Sequence, residues 1–199
     1  MRNSRGPRLI LAFDPGSQSC GHAEILPLGP DRYKVLGLGA LSMRGRVHWR
    51  LGWLLEDLEK LLAPYKGRPA DVVVEKHFIG PGAYGTITLA ESRGVILAAI
   101  AHAGFQRLYE YAPNTVKKGI TGNGRAEKWQ LANVVKRMLG IDEDPPLDAT
   151  DAAGLALYHA LHRPAGGAPG SSADDDTTED TTPAPPARPG AILKAPREG

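Results

Sequence analysis

The run Leu9-Ile10-Leu11-Ala12-Phe13, closed by Asp14-Pro15-Gly16-Ser17, constrains the chain more than any other feature. Apolar residues in unbroken succession form a strand buried on both faces, and Asp, Pro and Gly then stop it. Such a strand needs neighbours in a sheet and a covering layer on each side. Gly21 to Leu28 reads as a second strand, Gly29-Pro30-Asp31 turns the chain, and Tyr33 to Leu41 returns as a third, so the sheet begins antiparallel. Trp49, Trp53, Leu54, Leu58, Leu61 and Leu62 then recur at helical spacing among Glu56, Asp57, Glu59 and Lys60. This predicts an amphipathic helix that ends near Pro64, with both tryptophans in the core. Asp71 to Glu75 is a short strand centred on three valines, Thr86 to Ala103 a second helix, and Arg107 to Ala112 a fifth strand. Helical stretches follow at Pro113 to Lys118, Ala126 to Leu139 and Leu147 to His162. The order β-β-β-α-β-α-β-α-α predicts an α/β fold, a mixed five-stranded sheet with its later strands parallel and helices on both faces.

Composition divides the chain at Arg163. Beyond it Pro, Gly, Ala, Ser, Thr and Asp dominate, and such a segment buries too little to offset its ordering entropy. The reading is one domain over residues 1–163 and a disordered tail over residues 164–199. The tail holds three basic and six acidic residues of the chain's 24 and 22, which leaves the body at +5 and the tail at −3. A modestly basic body suits a polyanionic partner. Cys20 is the single cysteine, so an internal disulfide and a Cys-rich zinc site are both excluded. Met1 to Pro7 is short, basic and polar, Leu9 to Phe13 is too brief for a signal peptide, and Val95 to Ala101 falls short of a membrane span. The expectation is a cytoplasmic protein with no membrane partner.

The candidate chemistry lies in acids at the ends of elements. Asp14 ends the first strand and Glu75 the valine strand, while Asp148 and Asp151 stand three apart at the start of the last helix and face one side of it. Four carboxylates converging at one sheet edge repel each other unless cations neutralise them. Oxygen ligands suit a hard divalent ion such as Mg²⁺. Two such ions ~3.5–4 Å apart clamp the attacking and leaving oxygens of a phosphodiester displacement. Taken singly, each acid also has a bland reading. Asp14 begins a turn, Asp148 caps a helix with Asp151 complementing its dipole, and Glu75 pairs on the surface with Lys76. The set is harder to assemble by chance.

Lys117, Lys118, Arg125 and Lys128 lie among Gly119, Gly122 and Gly124, a composition that grips phosphate or forms a solvated basic loop. His159 and His162, three apart, could serve a metal but read better as histidines favourably placed at a helix C-terminus, and His77 could touch DNA or shuttle protons but reads better as a surface histidine.

Four stretches in order carry a family resemblance. They are Leu9 to Ile25 with its Phe-Asp-Pro-Gly-Ser core, Val74-Glu-Lys-His-Phe78 with Leu89-Ala-Glu-Ser-Arg-Gly94, Tyr111 to Lys117 with Gly122 to Lys128, and Leu147-Asp-Ala-Thr-Asp-Ala-Ala153. Over residues 8–162 the chain resembles the RuvC-type Holliday junction resolvases. The resemblance implies a ribonuclease H-like fold, a homodimer, and paired nicks across a four-way DNA junction with Mg²⁺ or Mn²⁺, two ions per site, in recombination and repair. It implies Asp14, Glu75, Asp148 and Asp151 as the catalytic, metal-holding carboxylates. Lys117 and Lys128 match the family's DNA-contacting lysines, Phe78 its junction-stacking aromatic, and Lys118 and Arg125 join them as DNA-binding candidates. RuvA and RuvB follow as partners from the resemblance alone. The loop Ile79 to Gly85 departs from the family's more polar one, and the tail is unusual.

The helix Thr86 to Ala103 offers Leu89, Val95, Ile96 and Ile100, more apolar surface than one core face needs, so part of the dimer interface is expected there, the alternative being that the excess is entirely intramolecular. Sugar kinases and actin-like ATPases also begin with a strand ending in Asp and Gly, but they need a second phosphate loop that this chain lacks. A non-catalytic junction-binding module has no use for four acids facing DNA.

Overall fold

The strand Leu9–Pro15 (β1) lies in the middle of the sheet, as its unbroken apolar run requires. The computed structural model describes residues 8–76 and 83–162, so Phe78, His77 and the tail from Pro164 to Gly199 lie outside the described residues. Ser19–Gly29 (β2) pairs antiparallel with β1, and Arg32–Ser42 (β3) antiparallel with β2. Ala70–Glu75 (β4) joins the other edge of β1 in parallel, and Leu108–Tyr111 (β5) pairs parallel with β4. The order is β3-β2-β1-β4-β5, the mixed five-stranded sheet the element order predicts.

Alternate residues of each strand face opposite layers. Leu9, Leu11 and Phe13 of β1, with Val72 and Val74 of β4, meet the helices Val47–Leu62 (α1) and Ala83–His102 (α2). Ile10 and Ala12, with Val73 and Tyr111, meet the helices Pro113–Thr121 (α3), Lys128–Leu139 (α4) and Leu147–His162 (α5). Each fully buried Phe, Leu or Ile here contributes ~1.5–3 kcal/mol, so the two faces together hold the sheet between its helices. The helix α4 begins two residues later than the periodicity suggests, because the Glu127 backbone N–H donates to the Gln130 side chain at 2.8 Å and closes its first turn.

One expectation is corrected and another narrowed. Trp49 and Trp53 are 57% and 49% exposed, outside the core. The buried residues of α1 are Leu54, Leu58 and Leu62, all beyond its first turn, so the inward stripe starts only where the helix lies over the sheet. On α2, Ile96 and Ile100 pack fully into the chain's own core and are not available to a partner, while Val95 is only partly buried against the same core. Among the described residues of that helix the exposed large apolar side chain is Ile87.

Candidate active site

Asp14 shares the face of β1 that carries Ile10 and Ala12, so its side chain leaves the sheet toward α5. Phe13 pairs with Val74 in the parallel register, which sets Glu75 beside Asp14 on the neighbouring strand. Glu75 has the parity of Val73, on the same face. The helix α5 crosses β1 and β2 and starts over this edge. Its first turn comes very close to the sheet because position 21 is glycine. A Cβ on Gly21 would stand 1.9 Å from the Asp148 carbonyl oxygen. Asp148 lies within the first turn of α5 rather than capping it, and Asp151 follows one turn later. Carboxylate oxygens of Asp14, Asp148 and Asp151 all lie within 4.8 Å of one another. Glu75 completes the wall of the same cleft, about 280 Å³ in volume, with Lys117, Lys128, Leu89 and Val116.

Crowding shows in the protonation equilibria. Burial, then the charges of Glu75 and Asp151, push the Asp14 carboxyl up to about 8, against a pull from Lys128. Burial and the Asp151 charge raise Glu75 to about 7. Asp151 is also raised, by burial first, although its hydrogen bond to Lys128 opposes the shift. Burial works against the Lys128 charge, but the hydrogen bond to Asp151 and the charges of Asp151, Asp148 and Asp14 outweigh it and hold the ammonium well above its ordinary range. Its Nζ lies 2.7 Å from Asp151 and 3.4 Å from Asp148. Lys117 lowers both Glu75 and Asp151 from the other wall. The donor set is all carboxylate oxygen, carries more negative charge than two lysines offset, and suits a hard divalent cation of the Mg²⁺ or Mn²⁺ class. Asp14, Asp148 and Asp151 stand close enough together to share one, and Glu75 lies on the wall beside them.

Among the other candidates, Lys117 and Lys128 reach the cleft, whereas Lys118 and Arg125 are exposed and do not line it. His159 is corrected outright. It is wholly buried, with Nδ1 2.8 Å from the Tyr111 hydroxyl and Nε2 3.4 Å from Asp71. Asp71, itself wholly buried, also accepts from Arg8 Nε at 2.8 Å. His162 stays at the helix end, its Nδ1 2.9 Å from the Tyr158 carbonyl. The periodicity carried the missed signal for His159: it lies eight residues after Asp151, a little over two turns along the same broad core-facing stripe of α5.

Two serines were also missed. The Ser19 hydroxyl hydrogen-bonds Asp148 Oδ2, and the buried Ser92 hydroxyl donates to the Gly16 carbonyl at 2.9 Å, tying α2 to the loop after Asp14. Ser92 stands inside the stretch Leu89 to Gly94, but serine by itself gives no pattern that separates an anchor from a surface residue.

Comparison with known proteins agrees with this geometry. The family model described as crossover junction endodeoxyribonuclease RuvC matches residues 10–159. The crossover junction endodeoxyribonuclease RuvC of Chlorobaculum parvum is 37% identical over 151 residues, 74% of this chain and 79% of that protein. Its counterpart in Heliobacterium modesticaldum is 38% identical over 152 residues, 75% of this chain and 91% of that protein. The structure of T. thermophilus RuvC in complex with Holliday junction substrate superposes with a TM-score of 0.69 at 26% identity, covering 77% of this chain and 93% of that one. The yeast mitochondrial Holliday junction resolvase Ydc2 shares the fold, with a TM-score of 0.56 at 10% identity over 77% of this chain and 78% of that one.

Proposed function

The chain belongs to the RuvC family of crossover junction endodeoxyribonucleases, and from that premise we propose that it resolves four-way DNA junctions by paired symmetric nicks, with Asp14, Glu75, Asp148 and Asp151 as its metal-holding carboxylates. The observation that carries the reading is the meeting of acids from two strand ends and one helix start in a single cleft walled by lysines. We take the cofactor to be two Mg²⁺ or Mn²⁺ ions per site, which when bound activate the attacking water and offset the charge developing on the phosphate.

The chain's own groups do the rest. Lys117 and Lys128 place positive charge on the cleft walls, where a phosphodiester must pass between the acids. Leu89 and Val116 narrow the cleft with apolar surface and limit the water that reaches it. Ser19 and Gly21 hold Asp148 in place, one by hydrogen bond and the other by allowing α5 to approach. Lys118 on α3 and Arg125 in the loop before α4, both exposed, are assigned to the DNA backbone. Phe78, outside the described residues, is assigned to stacking on a base at the crossover, a contact worth ~1–3 kcal/mol.

A junction cut symmetrically calls for a two-fold enzyme, so the working form is a homodimer, with α2 and its exposed Ile87 at the interface. Recombination and repair, the cytoplasm, and cooperation with RuvA and RuvB complete the assignment. Among the described residues no helix is long and apolar enough to cross a membrane.

The test is a synthetic four-way junction compared with duplex and single strand, each with and without Mg²⁺. The junction alone is expected to be nicked in pairs near the crossover, and only with the metal. Equal cutting of the three substrates, or cutting in chelator, overturns the proposal.

A further inference from the structure

The connection from β3 into α1 holds a second concentration of nucleic-acid chemistry, separate from the acidic cleft. From Met43 to Leu55 the chain carries Arg44, Arg46, His48 and Arg50 with Trp49 and Trp53, and no acidic residue. Arg50 is paired with Glu91 on α2 at 3.0 Å. Arg44 and Arg46 are exposed, and no acid among the described residues pairs with them.

The two indoles stack on each other, their centroids 6.3 Å apart and their planes 25° from parallel, and the His48 ring stands 5.1 Å from Trp49. Gly45 turns the loop at φ +108°, a conformation that favours glycine, and the fold of the loop brings the Trp53 ring to 3.5 Å from where a Cβ on Gly45 would lie. The ladder of rings is therefore held against the basic loop rather than free beside it.

Its place relative to the cleft is set by hydrogen bonds. Ser42, the last residue of β3, pairs with Ser19, and the Met43 N–H donates to the Gln18 carbonyl at 2.7 Å. Ser19 in turn bonds Asp148. The loop thus stands at the catalytic end of the sheet, two strand spacings from β1, about 10 Å.

Large rings so exposed beside unpaired cations ask for a partner with flat apolar faces and negative charge. Nucleic acid has both. A second copy of this chain across a two-fold axis would bring a second Arg44 and Arg46 against the first, like charge on like. We propose that the face formed by Arg44, Arg46, His48, Trp49 and Trp53 is a second DNA-contact surface. It receives a strand leaving the crossover, with phosphates on the arginines and an unstacked base on the indoles. The inference rests on the junction-cutting reading for the identity of its DNA.

The experiment uses the full chain in chelator, so that binding is measured without cutting. The variants are W49A/W53A, W49F/W53F and R44Q/R46Q, all at exposed positions, and unchanged melting temperatures establish that they fold. For a four-way junction, W49A/W53A is expected to bind about tenfold more weakly, and W49F/W53F to recover most of that loss. R44Q/R46Q is expected to flatten the dependence of log affinity on log salt by about two units, one for each phosphate released. Of the chain's three tryptophans, Trp129 is replaced by Phe in a parallel background, where junction binding is expected to quench the remaining emission.

Affinity and salt slope unchanged in the variants, with emission in the Trp129→Phe background unmoved by junction and wild type binding normally, overturn the proposal. So does a sedimentation shift in W49A/W53A without DNA, which would make the face a protein interface. A wild type that binds junction and duplex alike defeats the junction reading instead, and the same variants titrated with duplex then decide the surface.

Discussion

Lys128 Nζ lies 2.7 Å from Asp151 Oδ2 and 3.4 Å from Asp148 Oδ1, so one ammonium is shared between two carboxylates of the cluster. In chelator this ammonium offsets part of the acids' repulsion. Lys128→Ala is therefore expected to lower the melting temperature there by a few degrees, about 1 kcal/mol, between the value of an exposed pair and that of a buried one. Saturating Mg²⁺ replaces the missing charge and closes most of the gap. Thermal melts in both conditions check this, and a gap of equal size with and without Mg²⁺ contradicts it.

Asp14→Asn separates chemistry from stability. The amide keeps size but cannot hold a cation as a carboxylate does, so junction cutting is expected to fall on the order of 10³-fold or more while junction binding in chelator persists. The same change removes a crowded charge, so the chelated variant at pH 8 should melt no lower than wild type. Near-normal cutting by Asp14→Asn in Mg²⁺ removes Asp14 from the site. The same loss of cutting is expected of Glu75→Gln, Asp148→Asn and Asp151→Asn.

Acidity gives a third check. Asp14 at about 8 and Glu75 at about 7 both lie above their ordinary values of 3.8 and 4.5. Between those limits the folded, chelated protein holds protons that the unfolded chain has released. Its contribution from these groups is fully present below about pH 4 and is lost as pH rises through 7 and 8. Melting temperature in chelator should fall across that range. Metal binding expels the protons, so Mg²⁺ affinity should rise with pH and level off above pH 8. Calorimetry in buffers of different ionisation enthalpy reads the proton release directly, and its absence at pH 6.5 rules this account out.

His159→Leu tests the buried network at the other end of α5. The substitution leaves the Tyr111 hydroxyl and one Asp71 oxygen without the imidazole, while Arg8 still pairs with Asp71. The expected cost is about 1–3 kcal/mol, seen as a lower denaturation midpoint. His159→Gln should recover part of it. Since Asp71 stands at the far end of β4 from Glu75, and His159 toward the far end of α5 from Asp148, cutting by the folded variant at low temperature should remain within a few-fold of wild type. An unchanged midpoint shows that the contacts are energetically idle.

The linear pattern of residues determined the elements and their order. Apolar runs as short as Leu9 to Phe13 and Val72 to Val74, closed by turn residues or acids, read as central strands, and local chemistry suffices to stop them. The spacing of Asp148 and Asp151 on one helix is likewise a local fact. Tertiary structure alone decided which faces meet. Periodicity shows that α1 has an apolar stripe but not where the sheet beneath it ends, and so Trp49 and Trp53 project beyond the core that Leu54, Leu58 and Leu62 fill. His159 is polar by type and buried by position, because Tyr111 and Asp71, far away in sequence, supply its partners. The approach of α5 to β2 depends on the missing side chain at Gly21, and the placement of Lys128 between two acids depends on how α4 packs on α5. Such contacts join residues distant along the chain, and only the packing of whole elements against one another brings them within reach.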